Sequence, residues 1–213
     1  MDKIKLGVLV GGTSIEREVS KKSCENLLAN LDENKYEITV YHLPADGNTE
    51  WAKNIISNPP QIVLSALHGG NGENGSIQGF LHCLNIPYIG SKVLSSAICM
   101  NKAMAKTVMK ANHIQVPDHV FVMRGVDFSQ YEESIKLMGF PLIIKPNRGG
   151  SSIGVIVARN MEDIHYGIKN IIETYDDDVL IEKFIDGKEI NCCVLQGENG
   201  PEAMAVLDVK KAG

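Results

Sequence analysis

Several places in this 213-residue chain set chemistry-bearing side chains at the end of an apolar run. The first is Gly11-Gly12-Thr13-Ser14-Ile15-Glu16, directly after Lys5–Val10. Glycines let the backbone turn tightly and approach a ligand, and the helix expected next offers free N–H groups and a positive dipole end. A carboxylate there can hold an ammonium group. Thr13 and Glu16 also have the spacing of a capping box, in which the glutamate bonds the backbone of the cap residue, and the two roles are compatible. The segment lacks G-x-G-x-x-G, and G-x-x-x-x-G-K-[ST] occurs nowhere in the chain. The second place is His68, after the apolar Ile62–Leu67 and before a glycine-rich turn that runs to Gly75. Its imidazole can donate to an acyl or phosphoryl oxygen, or simply order the turn. His82, within the apolar Ile77–Leu84, reads as a packing residue.

The third place is Lys145, delivered by Phe140–Ile144 and followed by Pro146, which stops a ladder. Behind it, Gly149-Gly150-Ser151-Ser152 supplies unhindered N–H and hydroxyl donors, the set that an anionic ligand requires. One ammonium within ~4 Å of a phosphate contributes up to ~4 kcal/mol at an effective dielectric of ~20, before desolvation. The competing reading is a surface loop with a lysine whose head reaches water. Lys102 can be a second phosphate contact, or an ordinary lysine on a helix surface. The fourth place is Leu180–Ile185 with Glu189. Alternation puts Glu182 on one face and Lys183 on the other, and pattern alone turns these charges to solvent. The same strand can instead offer acceptors to an adenine amino group, with Glu189 reaching a ribose.

Strand and helix patterns alternate to position these groups. Lys5–Val10, Tyr36–Leu43 and Ile62–Leu67 read as strands separated by helix-length segments, with Trp51–Ser57 and Ile77–Leu84 helical. This pattern implies parallel βαβ units in an open sheet whose ligands sit at the strand C-termini. From Lys102 the pattern becomes α+β. A helix runs to about Asn112, strands follow at Val120–Met123, Phe140–Lys145 and Val155–Val157, and helices at Tyr131–Met138 and Met161–Thr174. Val179–Phe184 and Glu189–Leu195 read as a hairpin turning at Ile185-Asp186-Gly187-Lys188. Residues 203–209 read as a further strand near the chain end, as in a domain that continues beyond it.

Composition narrows the function classes. The chain is 44% hydrophobic and 22% charged with a net charge of −5, against the basic face that nucleic-acid binding needs. No run approaches the ~20 apolar residues of a membrane span, and the start lacks a signal-peptide pattern. The five cysteines have no metal-ligand spacing and read as reduced thiols of a cytoplasmic protein.

Taken in order, the motifs resemble the D-alanine–D-alanine ligases of the ATP-grasp superfamily. The resemblance is carried by Gly11–Ser20, Ala66–Gly69 with Gly72–Gly79, Pro87–Ser91, Met100-Asn101-Lys102, Lys145–Val155 and Ile181-Glu182-Lys183. It implies an α/β fold with a pre-ATP-grasp, Rossmann-like N-terminal domain at residues 1–97. An α+β central ATP-grasp domain would follow at 98–185, and 186–213 would begin an incomplete C-terminal domain. It further implies transfer of the γ-phosphate of ATP to one D-alanine, giving an acyl phosphate that the amine of a second D-alanine attacks. By matching position, Glu16 would bind the first ammonium and His68 would orient the carboxylate. Ser151 would bond Glu16 from the flap it shares with Ser152, and Lys102 and Lys145 would clamp phosphates. Glu182 and the Lys183 backbone would hold adenine, and Glu189 the ribose. A homodimer through the first domain is part of the same implication.

Relatives of this kind also carry a tyrosine loop, an arginine and an Asp/Glu/Asn set for two Mg²⁺ (or Mn²⁺) ions, and residues 1–213 contain no match to these and no metal ligands. Without metal stabilisation of the transferring phosphoryl group, rates fall a thousandfold or more, so feeble activity is expected of the chain as written. The alternatives are a D-alanine–D-serine ligase, since by the same resemblance the residues that choose the second substrate lie largely beyond residue 213, and a non-catalytic module binding ATP or an amino acid.

Overall fold

The computed structural model describes residues 2–209. The chain begins with β1 (Ile4–Gly11), α1 (Arg17–Asn30), β2 (Tyr36–Leu43), α2 (Glu50–Ser57) and β3 (Ile62–Ser65). The three strands form one parallel sheet in the order β2-β1-β3. A central strand in such a sheet meets helices on both faces, which requires a continuous apolar run. Leu6, Val8 and Val10 pack with Cys24 and Ala66 on one face. Leu9 packs on the other with Tyr41, Ile55, Val63 and Leu81. Beyond the third strand, a single parallel bridge joins Tyr88 to Val63.

The glycine-rich stretch after His68 is not wholly a turn. It contains the four-residue α3 (Gly70–Glu73), entered through Gly69 at φ 62°. Next come α4 (Ser76–Cys83), which contains His82, and α5 (Val93–Met100). His82 is exposed, so the packing expected of it is not made. The helix α5 was not expected from the sequence, although Val93, Leu94, Ala97, Ile98 and Met100 fall on one helical face and Ser95, Ser96 and Cys99 on the other.

The second sheet is antiparallel, in the order β4-β7-β5-β6. It follows α6 (Lys102–Ala111) and is built from β4 (His119–Val122), β5 (Leu142–Pro146), β6 (Ile156–Ala158) and β7 (Val179–Lys183). The helices α7 (Glu132–Met138) and α8 (Met161–Tyr175) cover one face, where Leu142, Ile144, Ile164, Ile171 and Ile181 are fully buried. Each such side chain contributes about 1.5–3 kcal/mol when removed from water. Gly167 is required here, because a Cβ would lie 2.4 Å from Ile144 Cδ1.

The hairpin expected at Ile185–Lys188 does not form. The strand β7 has β4 on one side and β5 on the other, so neither edge is free to pair with β8 (Ile190–Gly197). Instead β8 pairs antiparallel with β9 (Gly200–Asp208), with an irregularity in register between Cys192 and Val194.

Candidate functional site

At the exit of β1, two side chains of α1 fix the glycine turn. Ser20 Oγ accepts from the Gly11 N–H at 2.8 Å, and Ser20 is buried. Arg17 Nη1 donates to the carbonyls of Gly12 (2.9 Å) and Leu43 (2.8 Å). The capping box expected of Thr13 and Glu16 is not made. Glu16 is itself the residue before α1, its side chain bonds no helix N–H, and Ser14 Oγ accepts from the Glu16 N–H at 3.1 Å. The helix starts one turn later than the box requires, which frees the carboxylate to point away from its own backbone.

That carboxylate meets the far lobe. Ser151 Oγ donates to Glu16 Oε1 at 2.5 Å across 135 positions of sequence. Gly69 makes room for it: a Cβ there would lie 2.5 Å from Glu16 Oε2 and 2.7 Å from Ser14 Oγ. His68 lines an adjoining cavity with Gly12, Ser14 and Gly69, and its Nε2 lies 2.8 Å from Ser23 Oγ of α1. Between these residues and the loop 147–154 lies a cleft of about 410 Å³, walled by Glu16 and Gly69 on one side and by Arg148, Gly150, Tyr175 and Asp177 on the other. Ser151 and Ser152 both occupy the left-handed region, at φ 52° and 56°. Residues other than glycine enter it rarely, and it sharpens the bend of the loop.

The base of the loop is fixed more firmly than its tip. Asn147, fully buried, donates through Nδ2 to Asn101 Oδ1 (3.0 Å) and accepts from the Ala103 N–H (2.9 Å). Its backbone donates to the Asp178 carbonyl and accepts from the Lys102 N–H. Asp177, also buried, accepts from the Arg148 N–H at 2.6 Å. Lys102 Nζ donates to the carbonyls of Pro146 (3.1 Å) and Gly149 (2.8 Å), so it is not a free surface lysine. Burial, and then the neighbouring Lys145, lower its pKa below the ordinary lysine value.

Lys145 turns the other way and is not on the wall shared with Glu16. Its ammonium pairs with Glu182 Oε1, while Lys106 Nζ lies 2.8 Å from Glu182 Oε2. Glu182 is only 7% exposed, against the solvent-facing position that alternation gave it. The strand register explains the difference, since Glu182 stands opposite both Ile143 of β5 and His119 of β4, under the helix that carries Lys106. Burial raises the carboxyl pKa, and the two ammonium groups outweigh that effect and hold it below the ordinary value. Lys183 and Glu189 are exposed beyond this pair.

The site thus has two parts, a carboxylate–hydroxyl contact over the cleft and a lysine cluster behind the loop, joined by Lys102. Sequence reading missed Asn147, Asp177, Arg17 and Lys106. The last had a signal: Lys102 and Lys106 are four apart, so they share one face of α6. Among the described residues no three His, Cys, Asp or Glu side chains converge as metal ligands, so the residues present do not fit a magnesium centre.

Residues 49–91 match the family described as D-ala D-ala ligase N-terminus, and residues 108–213 the one described as D-ala D-ala ligase C-terminus. A curated D-alanine–D-alanine ligase of Bacillus anthracis is 40% identical over 199 residues, 93% of this chain, which spans 63% of that relative's length. The crystal structure of D-alanine–D-alanine ligase from Bacillus anthracis complexed with ATP is 35% identical, with a TM-score of 0.83 over 98% of this chain and 67% of that one. The VanG D-Ala:D-Ser ligase from Enterococcus faecalis is 27% identical, with a TM-score of 0.82 over 97% of this chain and 70% of that one.

Proposed function

We propose a function from one premise: the chain belongs to the D-alanine–D-alanine ligase family. The proposed reaction joins two D-alanines at the expense of ATP, for cell-wall precursor synthesis in the cytoplasm; the chain spans about two thirds of the length of the relatives that bear this name. ATP would supply the phosphoryl group that turns a carboxylate oxygen into a leaving group. Residues 1–97, 98–185 and 186–213 are assigned to the N-terminal, central and beginning C-terminal domains, with a homodimer through the first.

The observation that carries this reading is the Ser151–Glu16 bond, which brings the glycine-serine loop over a cleft with a carboxylate on its opposite wall. Glu16 would hold the ammonium of the first D-alanine there. His68 lies one residue before Gly69 of the same wall and would orient the carboxylate. The Ser151 and Ser152 hydroxyls and the loop N–H groups would face the phosphates and exclude water. Lys102 and Lys145 would provide the positive charge, with Glu182 and the Lys183 backbone toward adenine and Glu189 toward ribose. Positioning and electrostatics are the contribution of such a site.

Calorimetric titration of ADP tests the nucleotide half of the reading. The chain is expected to bind it, and Lys145→Ala to weaken binding at least tenfold, equivalent to about 1.4 kcal/mol. Unchanged affinity removes the lysine from the site. Supplying the protein with ATP, D-alanine and D-serine tests the rest. D-alanyl-D-alanine as the main product is expected, while D-alanyl-D-serine would move the protein to the neighbouring specificity.

A further inference from the structure

We infer that Lys106 is a positioning residue, which holds the Glu182 carboxylate so that the Lys145 ammonium is available to an anionic ligand. The inference deepens the nucleotide-site reading and rests on it for the identity of that ligand. Its basis is a buried triad. Glu182, 7% exposed, has two oxygens and two cationic neighbours, one to each oxygen: Lys145 at Oε1 and Lys106 at Oε2. Both lysine side chains are themselves largely buried, at 20% and 13% exposure.

A buried carboxylate with a single counter-ion keeps that counter-ion, because releasing it strands an unpaired charge away from water. Lys145 alone opposite Glu182 would therefore be held by it. A second ammonium changes this balance: with Lys106 in place, Lys145 can swing to a phosphate while Glu182 stays neutralised. The geometry suits the division. Lys145 is the residue before Pro146 at the end of β5, and Pro146 itself lines the cleft. Lys106 lies on α6, one helical turn beyond Lys102 and on the same face, and α6 is tied to the loop base through Asn147. Lys106 Nζ is 2.8 Å from Glu182 Oε2, close enough to neutralise the carboxylate when Lys145 leaves it.

The test measures Lys145 directly. Purified chain is labelled with an amine-reactive acetylating reagent, and the rate at each lysine is followed by peptide mass spectrometry, with the exposed Lys53 as internal reference. In Lys106→Met, Lys145 becomes the sole counter-ion of Glu182, and its labelling rate is expected to fall about tenfold, the change that one pKa unit makes in free amine. Lys106→Arg, which keeps the charge, is expected to restore the rate. In a Glu182→Gln background, Lys145 should label faster than in the parent, and adding Lys106→Met should change nothing further. ADP affinity, measured by calorimetry, should fall about tenfold in Lys106→Met and recover in Lys106→Arg. An unchanged Lys145 rate in Lys106→Met, or the same fall in the Glu182→Gln background, overturns the inference. Glu182→Gln carries the test alone if Lys106→Met fails to fold, since an unaltered Lys145 rate there also overturns it. If the lysines respond as expected but ADP binds no variant or parent, the nucleotide reading fails and the coupling stands.

Discussion

Glu16 and Glu182 are both carboxylates positioned by a sheet, but they are held by opposite means. Glu16 stands half-exposed at the exit of a parallel sheet, bonded to one serine hydroxyl of the other lobe and given room by the absence of a Cβ at Gly69. Glu182 is buried within an antiparallel sheet and flanked by two lysines. The first lobe shapes its wall with backbone and neutral hydrogen bonds, and leaves the charged group free to meet a ligand. The second assembles several charges in one place and must compensate each of them internally. Substitutions in the second lobe should therefore cost folding stability, and those in the first should cost recognition.

The sharpest way to break this contrast is to remove both counter-ions of Glu182. The Lys106→Met, Lys145→Met double variant leaves a buried carboxylate unpaired and is expected to lose about 3–5 kcal/mol in urea unfolding. A loss below about 1 kcal/mol would show that water reaches Glu182 and that the two carboxylates are alike. A smaller effect is expected from acid. Because the folded carboxyl of Glu182 lies below its ordinary value of 4.5, its stabilisation is complete above that value. It is lost as pH falls from 4.5 through the lower folded value. Thermal unfolding of Glu182→Gln should depend less steeply on pH than the parent in that acid window. Equal slopes would place the acid sensitivity elsewhere.

On the first wall, Gly69→Ala puts a methyl group at φ 62° and against Glu16 Oε2, and is expected to cost about 1 kcal/mol of stability. Glu16 is the mobile partner in that clash, so D-alanine binding should suffer more than folding does. Glu16→Gln is the smallest change in stability, within about 0.5 kcal/mol, as expected of an exposed contact. Its effect should appear in the Michaelis constant for the first D-alanine and not in that for ATP. A loss of stability as large as that of the lysine variants would make Glu16 a structural residue.

How much of this was legible in the sequence follows the same division. The buried strands β1 and β5 and the loop behind Lys145 announce themselves as apolar runs ending in glycine, proline and serine, because those features depend on neighbours in sequence. Glu182 did not, since alternation counts faces but cannot see that the inward face carries two lysines from β5 and α6. The hairpin expected at Asp186-Gly187 failed for a related reason. The turn residues are suited to it, but both edges of β7 were already taken by strands distant in sequence. In α5 the apolar face of Val93, Leu94, Ala97, Ile98 and Met100 is present, but eight residues are only about two turns, too short a run for the period to stand out. The capping-box spacing at Thr13 and Glu16 was satisfied on paper, and the helix simply begins later.

Asn147 has a mechanical consequence. It receives the N–H groups of two consecutive residues at the head of α6, one on its carbonyl and one on its side chain, while its own N–H is given to the Asp178 carbonyl next to β7. Helix, strand end and serine loop therefore share one hinge pin. The Lys102 ammonium is fastened to the same loop through the carbonyls of Pro146 and Gly149, so the charge and the segment bearing Ser151 keep one common anchor.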